Sequence, residues 1–459
     1  MSIKSRIRPL LPPTERAFSA RANSLEQQIG ALQGQVDELR RICDQQAKTI
    51  DTYSQLFSKQ FQLSLYSNAE YSNPSRFRNI LVAGWYGANN FGDELMMRTV
   101  LEHFSKEALT NVNVLLWDND TYSRLDLPPQ IGIIHYPNST WQLEELTEMF
   151  DTIVWGGGSI LDDQQFDNNP NNFNTGNIFI RLNLLAMSRG KEIWCLGLGA
   201  NSSFSNQEYL NYLQQIVYNS TYFSIRDPYS LNVLSVSGID CSHIDLCNDL
   251  AFASNELFSL VKHRKANRRY DIGIVLLCVE ELFDHYVVVL KSLLNSSFAT
   301  AEDSIVLIPF LNEYNLDINY YKRLIACLGN DSRITIARYS SSLTQCALLE
   351  SKFCICYKYH ASLIANSLGI PGLHVVHSKH PHYSNKMNYV SNIFNYRDHL
   401  VDAQSFEQNP SALVLKLINS NRAPLLENHE IYTETSEWLQ EVCARIESSL
   451  KGRSCSTEE

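Results

Sequence analysis

The sequence predicts an α/β protein with two Rossmann-like domains in series, preceded by an N-terminal coiled-coil helix. Three observations lead there. Short apolar runs alternate with helical patterns through most of residues 78–425, as parallel sheets with crossover helices require. The series is broken by a basic stretch, KHRKANRR, at 262–269. Upstream, Leu25, Leu32, Leu39, Gln46 and Tyr53 fall on one heptad position, and Ile29, Val36, Cys43, Ile50 and Phe57 on the other. That four-three spacing is the pattern of a coiled coil, through which the chain is expected to form a homodimer or meet another partner. A single amphipathic helix lying on its own domain is the alternative.

The predicted boundaries are a flexible N-terminus over 1–23, the coiled coil over 24–65 and a first Rossmann-like domain over 78–258. A second such domain covers 270–425, and one amphipathic helix 430–450. Strands of the first domain are read at 80–83, 112–117, 131–134, 152–155, 193–198 and 222–225. Those of the second are read at 271–278, 304–309, 333–337, 353–356 and 373–376, with helices near 281–294, 317–328 and 343–350.

Composition narrows the function. The 459 residues are 44% hydrophobic and 19% charged, which describes a globular chain with room for two cores. A net charge of −11, from 38 basic and 49 acidic residues, argues against a general nucleic-acid binder. No apolar run approaches the roughly 20 residues of a membrane span, and the first residues lack a signal peptide's apolar core. Several of the eleven cysteines sit inside strand-like runs, among them Cys195, Cys278, Cys354 and Cys356. Buried reduced thiols look this way, so a cytoplasmic location is expected.

Candidate chemistry clusters at strand ends. The first stretch is ILVAGWYGANNFGDE, residues 80–94, which reads as strand, glycine-rich turn and helix start. Gly87, Asn90 and Gly92 let backbone N–H groups approach an anion. Asp93 and Glu94, in the first helical turn, are either caps or catalytic groups. The turn is not a GxGxxG fingerprint, so no nicotinamide cofactor is indicated. A second glycine turn, Gly156-Gly157-Gly158, precedes Asp162 and Asp163, which are acid/base groups or loop caps. The Asn-rich stretch 166–177 suits a lid or a substrate-contact loop. Arg226, again at a strand end, suits phosphate or carboxylate, or else forms a salt bridge with Asp227. Lys358 and His360 follow the strand FCICY, placing a cation beside a general acid. His374, His377, His380 and His382 are read as a substrate-lining or surface loop, with a metal site as the alternative. No G-x-S-x-G elbow or Walker A loop occurs.

These motifs together resemble the polysaccharide pyruvyltransferase family. The resemblance spans roughly residues 79–400 and rests on GWYGANNFGDE (84–94), VWGGGSILDD (154–163), SIRDPYSLNVL (224–234), IDLCNDLAF (244–252) and KYHASLIANSLGIP (358–371). It implies a GT-B-like arrangement of the two domains. It also implies pyruvyl transfer from phosphoenolpyruvate to a sugar or glycan acceptor as a ketal, in polysaccharide biosynthesis, with no cofactor and no metal. His360 would be the general acid and Asp93 or Asp162 the base. Gly87, Asn90, Gly92, Gly156, Gly157, Gly158, Arg226 and Lys358 would bind substrate. Lys358 stands where the family usually has arginine, which keeps the charge but loses the bidentate fork. A GT-B-like glycosyltransferase using a nucleotide sugar, and a catalytically silent scaffold of the same family, are the alternative readings.

Overall fold

The computed structural model describes residues 22–23, 28–36, 39–40, 79–117, 127–167, 169, 171–263, 268–297, 299, 301, 304–343, 346–377, 381–420 and 429–452. The chain divides into two compact units, Met1–Arg76 and Phe77–Glu459. In the first, residues 28–36 are helical, and Ile29, Leu32, Val36 and Leu39 are exposed. Most of the expected coiled coil, most of the expected flexible N-terminus and the middle of the basic stretch at 264–267 lie outside the described residues.

The second unit opens with β1 (Ile80–Ala83), α1 (Phe91–Glu102), β2 (Val112–Leu116), β3 (Gly132–His135), α2 (Thr140–Met149) and β4 (Thr152–Leu161). It continues with α3 (Thr175–Ser188), β5 (Glu192–Ala200), α4 (Gln207–Asn219), β6 (Tyr222–Ile225), α5 (Pro228–Val236), β7 (Asp245–Leu246) and α6 (Asn255–His263). These strands make a seven-stranded sheet in the order β3-β2-β1-β4-β5-β6-β7. Every pairing is parallel. The second lobe runs β8 (Tyr270–Val275), α7 (Phe283–Leu294), β9 (Ile305–Leu307), α8 (Leu316–Cys327), β10 (Ile334–Ile336), β11 (Ser351–Cys356) and α9 (Tyr359–Ser367). It ends with β12 (Gly372–Val376), α10 (Pro381–Ile393), β13 (Leu400–Asp402), α11 (Ala403–Gln408) and α12 (Pro410–Ser420), before the terminal α13 (His429–Gly452). Its six-stranded sheet, also parallel, has the order β10-β9-β8-β11-β12-β13.

Central strands buried on both faces must be apolar throughout. β1, Ile-Leu-Val-Ala, is buried at all of its positions, between β2 and β4. The strand order reverses between β1 and β4 in one sheet and between β8 and β11 in the other. In open parallel sheets ligands bind at such switch points, off the carboxyl ends of the strands. The turn after β1, the end of β4 and the start of α9 after β11 therefore all lie where a ligand is expected.

Three local expectations are corrected. The glycines 156–158 do not form a turn: β4 runs through them, because β5 continues to pair alongside at Gly156–Leu196 and Gly158–Leu198. The helix expected over 343–350 is reduced, among the described residues, to a 3-10 turn at Ala347–Glu350, with Leu343, Cys346 and Leu348 all buried. The segment beyond His380, read as a loop, is the helix α10. Pro381 suits its first turn, and Met387 and Val390 recur on its buried side.

The terminal helix does not stay with the second lobe. Tyr432 packs edge-on against Phe252, with ring centroids 5.7 Å apart. Further along, Leu439, Val442, Cys443, Ile446 and Leu450 join the core formed by Ile80, Val82, Met97 and Val100 of the first lobe. Leu439 is fully buried there. Its replacement by alanine is expected to lower the unfolding free energy by about 2–5 kcal/mol, measured by urea denaturation of the whole chain.

Candidate active site

The turn between β1 and α1 is fastened to the second lobe through its backbone. Phe91 N–H donates to Phe310 O at 2.9 Å, and Asn312 N–H donates to Asn89 O at 2.9 Å. Asn90 forms an antiparallel bridge with Leu311. Gly87 and Asn89 carry positive φ values of 83° and 53°, which turn the chain back into the helix. Two glycines then admit catalytic-type side chains. A Cβ on Gly92 would lie 1.8 Å from His360 Nδ1, and one on Gly158 would lie 2.8 Å from Asp93 Oδ1. Asp93 of α1 thus lies against β4, and His360 from the second lobe lies against α1.

Arg226 is the centre of the cluster. It follows β6, is 1% exposed, and its Nη1 donates to Asp249 Oδ2 at 3.0 Å. Its Nη2 donates to Ser159 Oγ at 2.6 Å, and its Nε faces Asp227 Oδ2 at 3.6 Å. Asp227 also caps α5, accepting from Ser230 N–H at 2.7 Å, with Pro228 in the helix's first turn. The guanidinium lies 4.9 Å from the centroid of the Tyr359 ring, a favourable cation–π distance. His360 Nε2 stands 3.6 Å from Asp249 Oδ2 and has no hydrogen-bond partner among the described residues.

Lys358 and Asp162 have other engagements. Lys358 Nζ pairs with Asp317 Oδ2 at 2.9 Å, and that same oxygen accepts from Phe310 and Leu311 N–H. The lysine therefore fixes the loop that meets the β1–α1 turn. Asp162 Oδ1 accepts from Gln164 N–H at 3.0 Å and Oδ2 from Asn201 Nδ2 at 3.1 Å. Asp163 Oδ2 accepts from Ser205 and Asn206 N–H. Both have the geometry of loop caps. The Asn-rich loop is knitted through Asp167, which accepts from Asn169 N–H, Asn172 Nδ2 and Asn177 Nδ2. His374, buried in β12, is held by Ser362 Oγ at 2.7 Å and Asn366 Oδ1 at 3.1 Å.

Asp249 and Lys386 join the cluster without having stood out in the sequence. Asp249 lies in the motif NDLAF, where it also caps a 3-10 turn. Lys386 comes from α10, is 3% exposed, and its Nζ donates to Ser159 Oγ at 2.7 Å and Asn201 Oδ1 at 3.1 Å. The Pro381 start and the spacing of Met387 and Val390 were the signals that could have placed it on a helix.

Burial and charge set the protonation landscape. Burial raises the Asp93 carboxyl to about 6, although His360 and Arg226 pull it down. Burial would also raise Asp249, but His360 and Arg226 outweigh it and hold this carboxylate well below the usual range. Arg226 is desolvated, which works against its charge, yet Asp249 above all keeps it firmly protonated. Burial raises Glu94, next to Asp93, to about 7 against the opposing hydrogen bond from Tyr339 and the charge of Arg98. Tyr339 Oη, from the second lobe, donates to Glu94 Oε2 at 2.7 Å.

Two parallel α/β lobes closed by a returning terminal helix place the protein among GT-B-like folds. The UDP-GlcNAc 2-epimerase of Methanocaldococcus jannaschii, solved with UDP-GlcNAc and UDP, matches with a TM-score of 0.51 and 11% identity, covering 80% of this chain and 99% of that one. The UDP-N-acetylglucosamine 2-epimerase of Rickettsia bellii matches with a TM-score of 0.50 and 10% identity, covering 83% and 99%. At such identities the likeness is one of fold. The family model for polysaccharide pyruvyl transferase matches residues 90–379, and the chain belongs to that family. No curated protein matches the chain. Among the described residues no helix is long and apolar enough to cross a membrane.

Glu94 supplies a pH test of this geometry. Its carboxyl rises from 4.5 in the unfolded chain to about 7 in the folded one, so the folded state binds the proton more tightly. Stability from this group is fully present below pH 4.5 and is lost as pH rises through about 7. Glu94→Gln should therefore show a shallower fall in unfolding free energy between pH 5 and 8 than the wild type, by roughly 1–3 kcal/mol, measured by urea titration at each pH.

Proposed function

We propose that this protein transfers the pyruvyl group of phosphoenolpyruvate to two hydroxyls of a sugar or glycan, forming a pyruvate ketal and releasing phosphate. One observation carries the reading. In a chain of this family, His360 from the second lobe faces Asp249, the ion-pair partner of Arg226, and its charge lowers the carboxyl pKa of Asp93, at the switch point of both sheets. A donor with a phosphate and a carboxylate needs fixed cations, and Arg226 is held charged at that place. Lys358, through Asp317, positions the loop against which the β1–α1 turn is fastened.

In this reading the donor's oxygens lie on Arg226 and on the N–H groups of the turn containing Gly87, Asn90 and Gly92. His360 protonates the methylene carbon of phosphoenolpyruvate, with Asp249 as counter-charge beside its ring. The neighbouring carbon becomes electron-poor, and the first sugar hydroxyl adds to it as Asp93 takes that hydroxyl's proton. Phosphate then departs, and the second hydroxyl closes the ring. The two hydroxyl protons balance the one gained by the new methyl group and the one that leaves with phosphate. Asp162, with both oxygens engaged in the loop, positions Asn201 in this scheme.

Phosphate release from phosphoenolpyruvate in the presence of candidate glycans tests the proposal, with UDP sugars run in parallel. His360→Ala should cut kcat by about a hundredfold or more while the melting temperature holds; an unchanged rate removes His360 from the mechanism. Because Asp93 acts as a base with its carboxyl raised to about 6, kcat/KM should fall as pH drops below that value. Asp93→Asn should abolish that limb together with most of the activity. Turnover of a UDP sugar without phosphoenolpyruvate would identify a glycosyltransferase instead.

A further inference from the structure

The carboxyl edge of the first sheet carries a row of aromatic side chains that the proposed reaction leaves unused. Strand pairing continues past the strand ends here: Trp117 N–H donates to Tyr86 O at 2.8 Å, and Tyr136 N–H to Leu116 O at 3.0 Å. Leu116 of β2 is in register with His135 of β3, so the next residues, Trp117 and Tyr136, stand side by side. Their rings meet edge-on, with centroids 5.1 Å apart and planes at 71°. Trp85 lies in the turn after β1, the strand that flanks β2 on its other side. Trp85, Trp117 and Tyr136 are all half-buried, so each keeps part of its ring in water. One such ring is ordinary, but three at the ends of three adjacent strands make an apolar strip, and such strips mark contact surfaces.

The row ends at the site. Tyr136 Oη donates to Gly84 O at 2.5 Å, so its side chain reaches from the end of β3 back across β2 to the end of β1. Tyr86 Oη donates to Gly156 O of β4 at 2.5 Å, and Asp93 lies against Gly158 of the same strand. Burial raises the Tyr136 phenol above its ordinary range and the Asp93 carboxylate adds to the rise, against a hydrogen bond with Thr175. Adjacent strands lie about 4.8 Å apart, so the row from β1 to β3 spans roughly 10 Å, the length of two linked sugar rings. The C–H bonds on the face of a pyranose carry partial positive charge, which suits the negative face of an aromatic ring. We propose that Trp85, Trp117 and Tyr136 form an acceptor platform, which holds the inner sugars of an oligosaccharide while its terminal sugar lies beside Asp93. The acceptor is then a glycan chain rather than a single sugar, and the terminal sugar's part as pyruvyl acceptor rests on the function proposed above. Tyr136 contributes its ring, since its hydroxyl is committed to Gly84. None of the three touches a reacting atom, so their contribution is to affinity and to the choice of acceptor.

The test is calorimetric titration of the full chain, without phosphoenolpyruvate, using cello-, galacto- and manno-oligosaccharides of one to four sugars. In at least one series the trisaccharide should bind about tenfold or more tightly than the monosaccharide. Trp117→Ala and Trp85→Ala should each reduce that gain, and Trp117→Phe should keep part of it, with melting temperatures showing that the variants fold. A ring that only shielded the sheet edge would leave the dependence on chain length unmoved. Phosphate release from phosphoenolpyruvate with the same sugars is measured separately. If no series gains affinity with length, or if both alanine variants keep the full gain, the platform is overturned, and the donor assignment is judged by phosphate release alone. If the gain depends on Trp117 or Trp85 but phosphoenolpyruvate releases no phosphate with any glycan that binds, the platform stands and the donor assignment falls.

Discussion

A guanidinium removed from water must be surrounded by acceptors and counter-charge, or it destabilises the fold that buries it. Arg226 finds its acceptors in Asp249 and Ser159 and its further counter-charge in Asp227, which faces Nε at 3.6 Å without a hydrogen bond, and it lies over the ring of Tyr359. These partners come from a 3-10 turn, a helix cap, a central strand and the other lobe. Much of the site's arrangement follows from satisfying this one group. Asp249 is placed where it also faces His360, Asp227 starts α5, and Tyr359 orients the first turn of α9. Removing Arg226 would leave Asp249 without its 3.0 Å ion pair and Asp227 without the charge facing its Oδ2, so its loss would disturb packing as well as any bound anion.

The junction between the lobes is made as much by backbone as by side chains. The β1–α1 turn exchanges hydrogen bonds with residues 310–312, whose loop is in turn held by Asp317 and Lys358. Glycines at 92 and 158 are needed because each faces a side chain of the site at a distance that leaves no room for a methyl group. Pre-organisation of this kind lets the cluster keep Asp93 and Glu94 buried with raised carboxyl pKa values.

Much of this was legible in the sequence, for identifiable reasons. Apolar runs such as Ile80–Ala83 and Phe353–Cys356 have no stable home except a sheet buried on both faces, so the strand positions could be read directly. The glycine-rich turn, Arg226 and His360 stood out because their residue types are unusual at strand ends. Other features depended on partners distant in the chain. β4 continues through three glycines only because β5 runs beside it, which no local pattern signals. Lys386 lies in a polar, histidine-flanked segment whose helical period is marked by only a few apolar residues, and its value comes from Ser159 more than two hundred positions away. Lys358 read as a donor ligand because Asp317, which engages it, is invisible as a neighbour until the second sheet forms.

The terminal helix has a consequence for how the protein is made. Its apolar face belongs to the core that includes β1 and α1, the earliest-synthesised elements of the catalytic body. The core that holds Ile80, Val82 and Val100 is therefore complete only once α13 has folded back onto the first lobe. The second lobe draws on the same helix, since Tyr432 of α13 belongs to the core that includes Val275, Cys354 and Leu363. Two stretches far apart in the chain thus share one core, and the lobe encoded first is completed only by α13.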